Sequence, residues 1–106
     1  MAIRATRTLS TVTNSSPVML DWVQATFSVA IGCVATGTVN YKVQHTFDTG
    51  DAIAADTATW FDHTSLVNKT ASADGNYAFP VTAVRLVVNS GTPTYSVVMT
   101  VIQGNQ

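Results

Sequence analysis

Hydrophobic and polar positions alternate along much of this chain with a period of two, not 3.6, which predicts strands and no helix of ten or more residues. The most apolar part is the C-terminal quarter. Residues 81–88, VTAVRLVV, and 95–102, YSVVMTVI, read as strands, and residues 89–94 between them are rich in turn formers. A hairpin is the predicted arrangement. Val84, Leu86 and Val88 share one face of the first strand; Val81, Ala83 and Val87 share the other, with Arg85 among them. In the second, Val97, Met99 and Val101 alternate against Val98 and Ile102. A strand with one wet face shows a polar residue at every second position. The second face is therefore expected to be covered too, by another protein chain.

Residues 38–47 show the cleanest alternation. Val39, Tyr41, Val43, His45 and Phe47 form the apolar series; Asn40, Lys42, Gln44 and Thr46 form a wet face. Before it, Phe27, Val29, Ile31 and Cys33 mark a strand over 27–34, and the turn at Gly37 predicts a hairpin between the two. Residues 18–23 give a short strand with Trp22 on its apolar face, expected in the core. Residues 59–63 give another, carrying Trp60 and Phe61. Residues 2–9 form an edge strand or an N-terminal arm in which Arg4 and Arg7 either discourage edge pairing or anchor a partner. Residues 10–17, 48–58 and 64–76 read as loops, the last ending in an Asp74-Gly75-Asn76 turn. Six or seven short strands with turns between them predict an all-β, single-domain antiparallel β-sandwich or jelly roll over residues 1–106.

Composition sharpens this picture. Only 10% of the 106 residues are charged, while 46% are hydrophobic. That is a sparse charge for the surface of a free monomer. The net charge is −1 and Arg4, Arg7, Lys42, Lys69 and Arg85 are scattered, so the basic footprint of a nucleic-acid binder is missing. No apolar run approaches the ~20 residues that span a bilayer, and residues 1–20 lack the apolar core of a signal peptide. Synthesis in a cytoplasm, with no membrane and no nucleic acid as partner, is the expectation.

Candidate chemistry is thin. The one cysteine, Cys33, falls in an apolar series and reads as an inert buried thiol. His45 and His63 have Asp48 and Asp62 nearby, but at no compact ligand spacing, and His45 reads as a hydrogen-bonded core histidine. The acidic loop at Asp48, Asp51 and Asp56 could hold calcium but lacks the EF-hand spacing; a polar loop is the ordinary outcome. No catalytic, phosphate-binding or zinc motif occurs. Thus no catalytic residue, metal ligand or cofactor site is predicted, and the chain is expected not to be an enzyme. The aromatics Trp60, Phe61, Tyr77 and Phe79 flank the longest irregular region, where they either stack on sugars, fill a partner's pocket or cap the sandwich. Arg4, Arg7, Trp60, Tyr77, Phe79 and Arg85 are the candidate interaction residues.

Several segments resemble those of small β-rich virion proteins of tailed bacteriophages. They are Val43-Gln44-His45-Thr46-Phe47-Asp48, Thr59-Trp60-Phe61-Asp62-His63, the run from Asp74 to Val81, Ala83-Val84-Arg85-Leu86 and Val101-Ile102-Gln103-Gly104. The resemblance implies a structural role in the virion, as a capsid decoration or cement protein bound to the major capsid protein. It also implies a homo-oligomer, a trimer by preference. A tail accessory or receptor- and glycan-binding module is the alternative.

Overall fold

The computed structural model describes residues 3–23, 27–92 and 94–104. Its elements follow in the order β1 (Ile3–Leu9), β2 (Val18–Met19), β3 (Val29–Thr36), β4 (Val39–Thr46), α1 (Gly50–Ala54), β5 (Trp60–Asp62), β6 (Ala73–Tyr77), β7 (Ala83–Gly91) and β8 (Ser96–Gln103). They form two antiparallel four-stranded sheets, β1-β8-β3-β6 and β2-β7-β4-β5. The pairs β1–β8, β2–β7, β3–β6 and β4–β5 are those of one long ribbon folded back between β4 and β5. Rolling the ribbon adds the pairs β3–β8 and β4–β7. This is the jelly roll, and the all-β sandwich is as the alternation predicts.

Both predicted hairpins are absent. β3 and β4 lie in opposite sheets, and so do β7 and β8. Their connections are arches that carry the chain across the sandwich, and the arches touch. Gly37 sits at φ +82°, where a Cβ would stand 2.8 Å from the Thr94 carbonyl oxygen. A Cβ on Gly91 would fall against the Tyr95 ring. Glycine allows both the left-handed backbone and the close approach here. The Thr92 amide then donates to the Thr38 carbonyl, at 3.1 Å, and joins the two arches. Ala2, predicted to begin β1, and Pro93, in the predicted turn, lie outside the described residues.

The core between the sheets is made of the inward halves of the strands. Val29, Ile31 and Cys33 of β3, Tyr41 and Val43 of β4, Val84, Leu86 and Val88 of β7, and Val97, Met99 and Val101 of β8 are buried together. Burial pushes the Cys33 thiol up to about 12, so it stays protonated at neutral pH.

Two elements escape the alternation pattern. β6, ADGNY, is a polar edge strand where a turn is predicted; it pairs with β3, and only Tyr77 is deeply buried. Gly75 leaves room for the Leu66 side chain there, since a Cβ would stand 2.9 Å from Leu66 Cδ1. α1 is a single short turn of helix in the predicted loop, opened by Thr49, whose hydroxyl accepts from the Ala52 amide at 3.2 Å.

The apolar second faces have different outcomes. On β7, Ala83 and Val87 are buried by the chain itself: Asn14 bridges to Val87, and the Ser15 hydroxyl accepts from the Leu86 amide at 2.9 Å. No outside partner is needed for β7, contrary to the sequence expectation. The outer face of β8 remains open, with Ile102 exposed and Val34 exposed on neighbouring β3. The wet face of β4 is also smaller than predicted. Asn40 and Lys42 are half-buried, whereas Gln44 and Thr46 are buried.

Candidate functional site

In β5, Trp60 and Phe61 are neighbours and point to opposite faces of the sheet. This divides the candidate aromatics into two places. Phe61 lies across from His45 at the end of the sandwich, where the facing sheet no longer covers it. Phe47, one residue beyond β4, and Phe79, two beyond β6, join it. Their ring centroids stand 5.3, 6.0 and 5.8 Å from that of His45 for Phe47, Phe61 and Phe79. Phe47 is 5.7 Å from Phe61 and 6.2 Å from Phe79. These rings form an aromatic mouth around one imidazole.

All three phenylalanines are about half exposed: 55% for Phe47, 49% for Phe61 and 50% for Phe79. Trp22, at 55%, shares with Phe47 a surface groove of about 330 Å³ that Thr49 and Thr82 also line. Met19 and Val23 are exposed as well, and the Met19 methyl lies beside Gly50. Alternation along β4 and β2 predicts Phe47 and Trp22 in the core. Both are corrected by the structure: Phe47 lies one residue beyond β4, and Trp22 lies in a turn because β2 ends at Met19, short of the strand predicted over 18–23. Single exposed apolar residues are ordinary; here Phe47, Phe61 and Phe79 are exposed side by side.

Tyr77 supports the mouth from beneath. It is buried, with its ring centroid 5.0 Å from His45, 4.7 Å from His63 and 5.7 Å from Phe79. Its hydroxyl and His45 Nδ1 share a hydrogen bond of 2.8 Å. Burial raises the Tyr77 pKa, so the phenol keeps its proton. His63 is fully engaged: Nδ1 accepts from the Ser65 amide at 3.1 Å, which leaves the proton on Nε2 to donate to the Asn76 carbonyl at 2.8 Å. His45 Nε2 has no hydrogen-bond partner among the described residues and is not sealed from solvent.

Burial and the neighbouring His63 depress the His45 pKa below its ordinary 6.5, against a smaller opposing pull from Asp62. The folded chain thus binds this proton less readily than the unfolded one. Its share of stability is present above pH 6.5 and is lost as pH falls through the folded value. Melting temperatures from about pH 7.5 down to about pH 5 should fall, and His45→Gln should flatten that slope. An equal slope in the variant would assign the decline elsewhere.

Trp60 belongs to the outer face of the second sheet. The Arg85 guanidinium carbon lies 4.3 Å from its ring centroid. Arg85 Nε donates to Gln44 Oε1 at 2.9 Å, Gln44 Nε2 donates to Asp62 Oδ1 at 2.9 Å, and Lys42 Nζ pairs with the same oxygen at 3.3 Å. The Gln44 hydrogen bond first, then the hydrogen bond and charge of Lys42, hold the Asp62 carboxyl below its usual range. The remaining candidates are apart from both places. Arg7 spends its guanidinium on the Ser16, Pro17 and Thr6 carbonyls, each at 3.0 Å, and fastens the N-terminal loop to β1. Arg4 is exposed on the outer face of the first sheet, opposite Ile102. Among the described residues no three His, Cys, Asp or Glu side chains converge as metal ligands.

Compared with known proteins, the chain matches no family model, no curated protein and no solved structure.

Proposed function

We propose that this chain is a non-enzymatic structural component of a virion. In this proposal it is a capsid decoration or cement protein whose aromatic mouth seats on the major capsid protein lattice. The observation that carries it is the cluster of Phe47, Phe61 and Phe79, half exposed around His45. Aromatic side chains that protrude from a rigid strand end lose little conformational freedom on docking and bring much apolar area. The resemblance to small phage virion proteins supplies the partner, and the jelly roll is a fold found in capsid and lectin domains, an analogy only. A homo-oligomer, a trimer by preference, would bridge neighbouring capsomers by many weak contacts made at once. Particles lacking this chain should lose cohesion on heating or osmotic shock. If they are as robust as complete particles, the cement role is wrong.

The groove beside Trp60 and Arg85 favours a second possibility, a receptor- or glycan-binding module at the tail. In that case Trp60→Ala should reduce host adsorption while particle integrity is unchanged. Unchanged adsorption would remove it.

A further inference from the structure

Arg85 is held in place without a carboxylate. Its Nε is occupied by Gln44, Gln44 is fixed by Asp62 and Asp62 by Lys42, and the Arg85 guanidinium lies over Trp60. Neither Nη amine has a hydrogen-bond partner among the described residues, and no ion pair to Arg85 forms there. Burial lowers its pKa, offset in part by Asp56, yet an arginine stays charged at any ordinary pH. The rotamer entropy of the Arg85 side chain is thus already lost before a ligand arrives. The two open amines are therefore a pre-set fork, suited to a planar acceptor such as a carboxylate.

The fork faces a groove of about 330 Å³ on the outer side of the second sheet. That volume is at the lower end of small-ligand sites, about 300–1,000 Å³, and suits one ring rather than a chain. Asn14 and Ser16 contribute short polar side chains, Ile53 and Pro17 apolar surface, and Asp56 a carboxylate. Asp56 would repel a dianion such as phosphate more strongly than a single carboxylate. It would accept hydroxyl hydrogens from a ligand whose own single carboxylate sits on Arg85. Many short polar groups, some apolar surface and one acidic acceptor fit a polyhydroxylated ring better than a peptide side chain.

Resting on the second reading above, we propose that this groove binds a saccharide bearing a carboxylate, with the Arg85 fork on the carboxylate, Asp56 and the 14–16 loop on the hydroxyls, and Ile53 and Trp60 against the ring. The site lies on the face opposite the aromatic mouth, so saccharide binding and capsid docking can fail independently.

The chain has two tryptophans, so Trp22→Phe leaves Trp60 as the only indole reporter. In that background D-glucuronate should change Trp60 emission saturably. D-glucose and acetate should bind at least about tenfold more weakly, a loss of about 1.4 kcal/mol. Arg85→Lys, which keeps charge but loses the fork, should weaken glucuronate by a similar factor, and Arg85→Gln should abolish the response. Amide shifts at Ser16, Asp56 and Trp60 on adding glucuronate to the unaltered chain give a second measurement if Arg85→Gln does not fold. The proposal is overturned by no saturable response and no amide shifts at those residues, by equal response to acetate, by an unchanged response in Arg85→Gln, or by tighter binding of an acidic peptide than of glucuronate.

Discussion

Tyr77→Ala is expected to be the most damaging substitution at the mouth, and to act through stability. Tyr77 is 1% exposed and touches the rings of His45, His63 and Phe79. Removing a buried aromatic ring costs about 3–5 kcal/mol, out of a total near 5–15 kcal/mol for a domain. The change also deprives His45 Nδ1 of its partner. The melting temperature should fall by roughly 12 °C or more, since about 1 kcal/mol moves a domain of this size by about 4–8 °C. Tyr77→Phe keeps the ring and loses only the hydroxyl, so its cost should be about 1 kcal/mol. Thermal or urea unfolding separates them. Equal stability for Tyr77→Ala and the unaltered chain would mean that the mouth has no rigid floor.

The second large effect is on docking, with the fold retained. Phe61→Glu combined with Phe79→Glu replaces two rings that are already half in solvent by carboxylates. Folding should change little. Attachment to the partner should weaken by about 100-fold or more, because central aromatic anchors contribute about 2 kcal/mol or more each. The competing surface is the outer face of the first sheet, where Val34 and Ile102 are exposed among Thr6, Gly32 and Thr100. Val34→Glu with Ile102→Glu should leave attachment unchanged. Quantitative rebinding to stripped particles is the measurement, and the reverse ranking would move the interface to that face.

The strands were more legible than their partners. β3, β4, β7 and β8 follow from alternation because each has a facing sheet along most of its length. β6 gives no such signal, since an edge strand needs few apolar groups and its Gly75 makes room for Leu66. α1 is too short to show a period. Strand pairing differs from the predicted hairpins for a physical reason. A turn such as Gly37 can close a hairpin or an arch, and only the close approach of Thr94 and Tyr95 selects the arch. Alternation assigns a side chain to a face but cannot say where a strand stops, so Phe47, just beyond β4, and Trp22, in a turn beyond β2, read as core. Phe79 and Tyr77 were visible as an aromatic pair, yet their roles differ: one is exposed and the other is its floor. Arg85 stood out as the charge within an apolar strand. Its contact with Trp60, distant in sequence, exists only because β4 lies between β5 and β7.

Docking through the aromatic mouth is tested most directly by a reconstruction of intact particles with this chain resolved on them. The predicted result is density on the outer surface of the head, with Phe47, Phe61 and Phe79 turned down onto the capsid. Density that leaves those three rings facing solvent, or that places the chain at the tail, would contradict it.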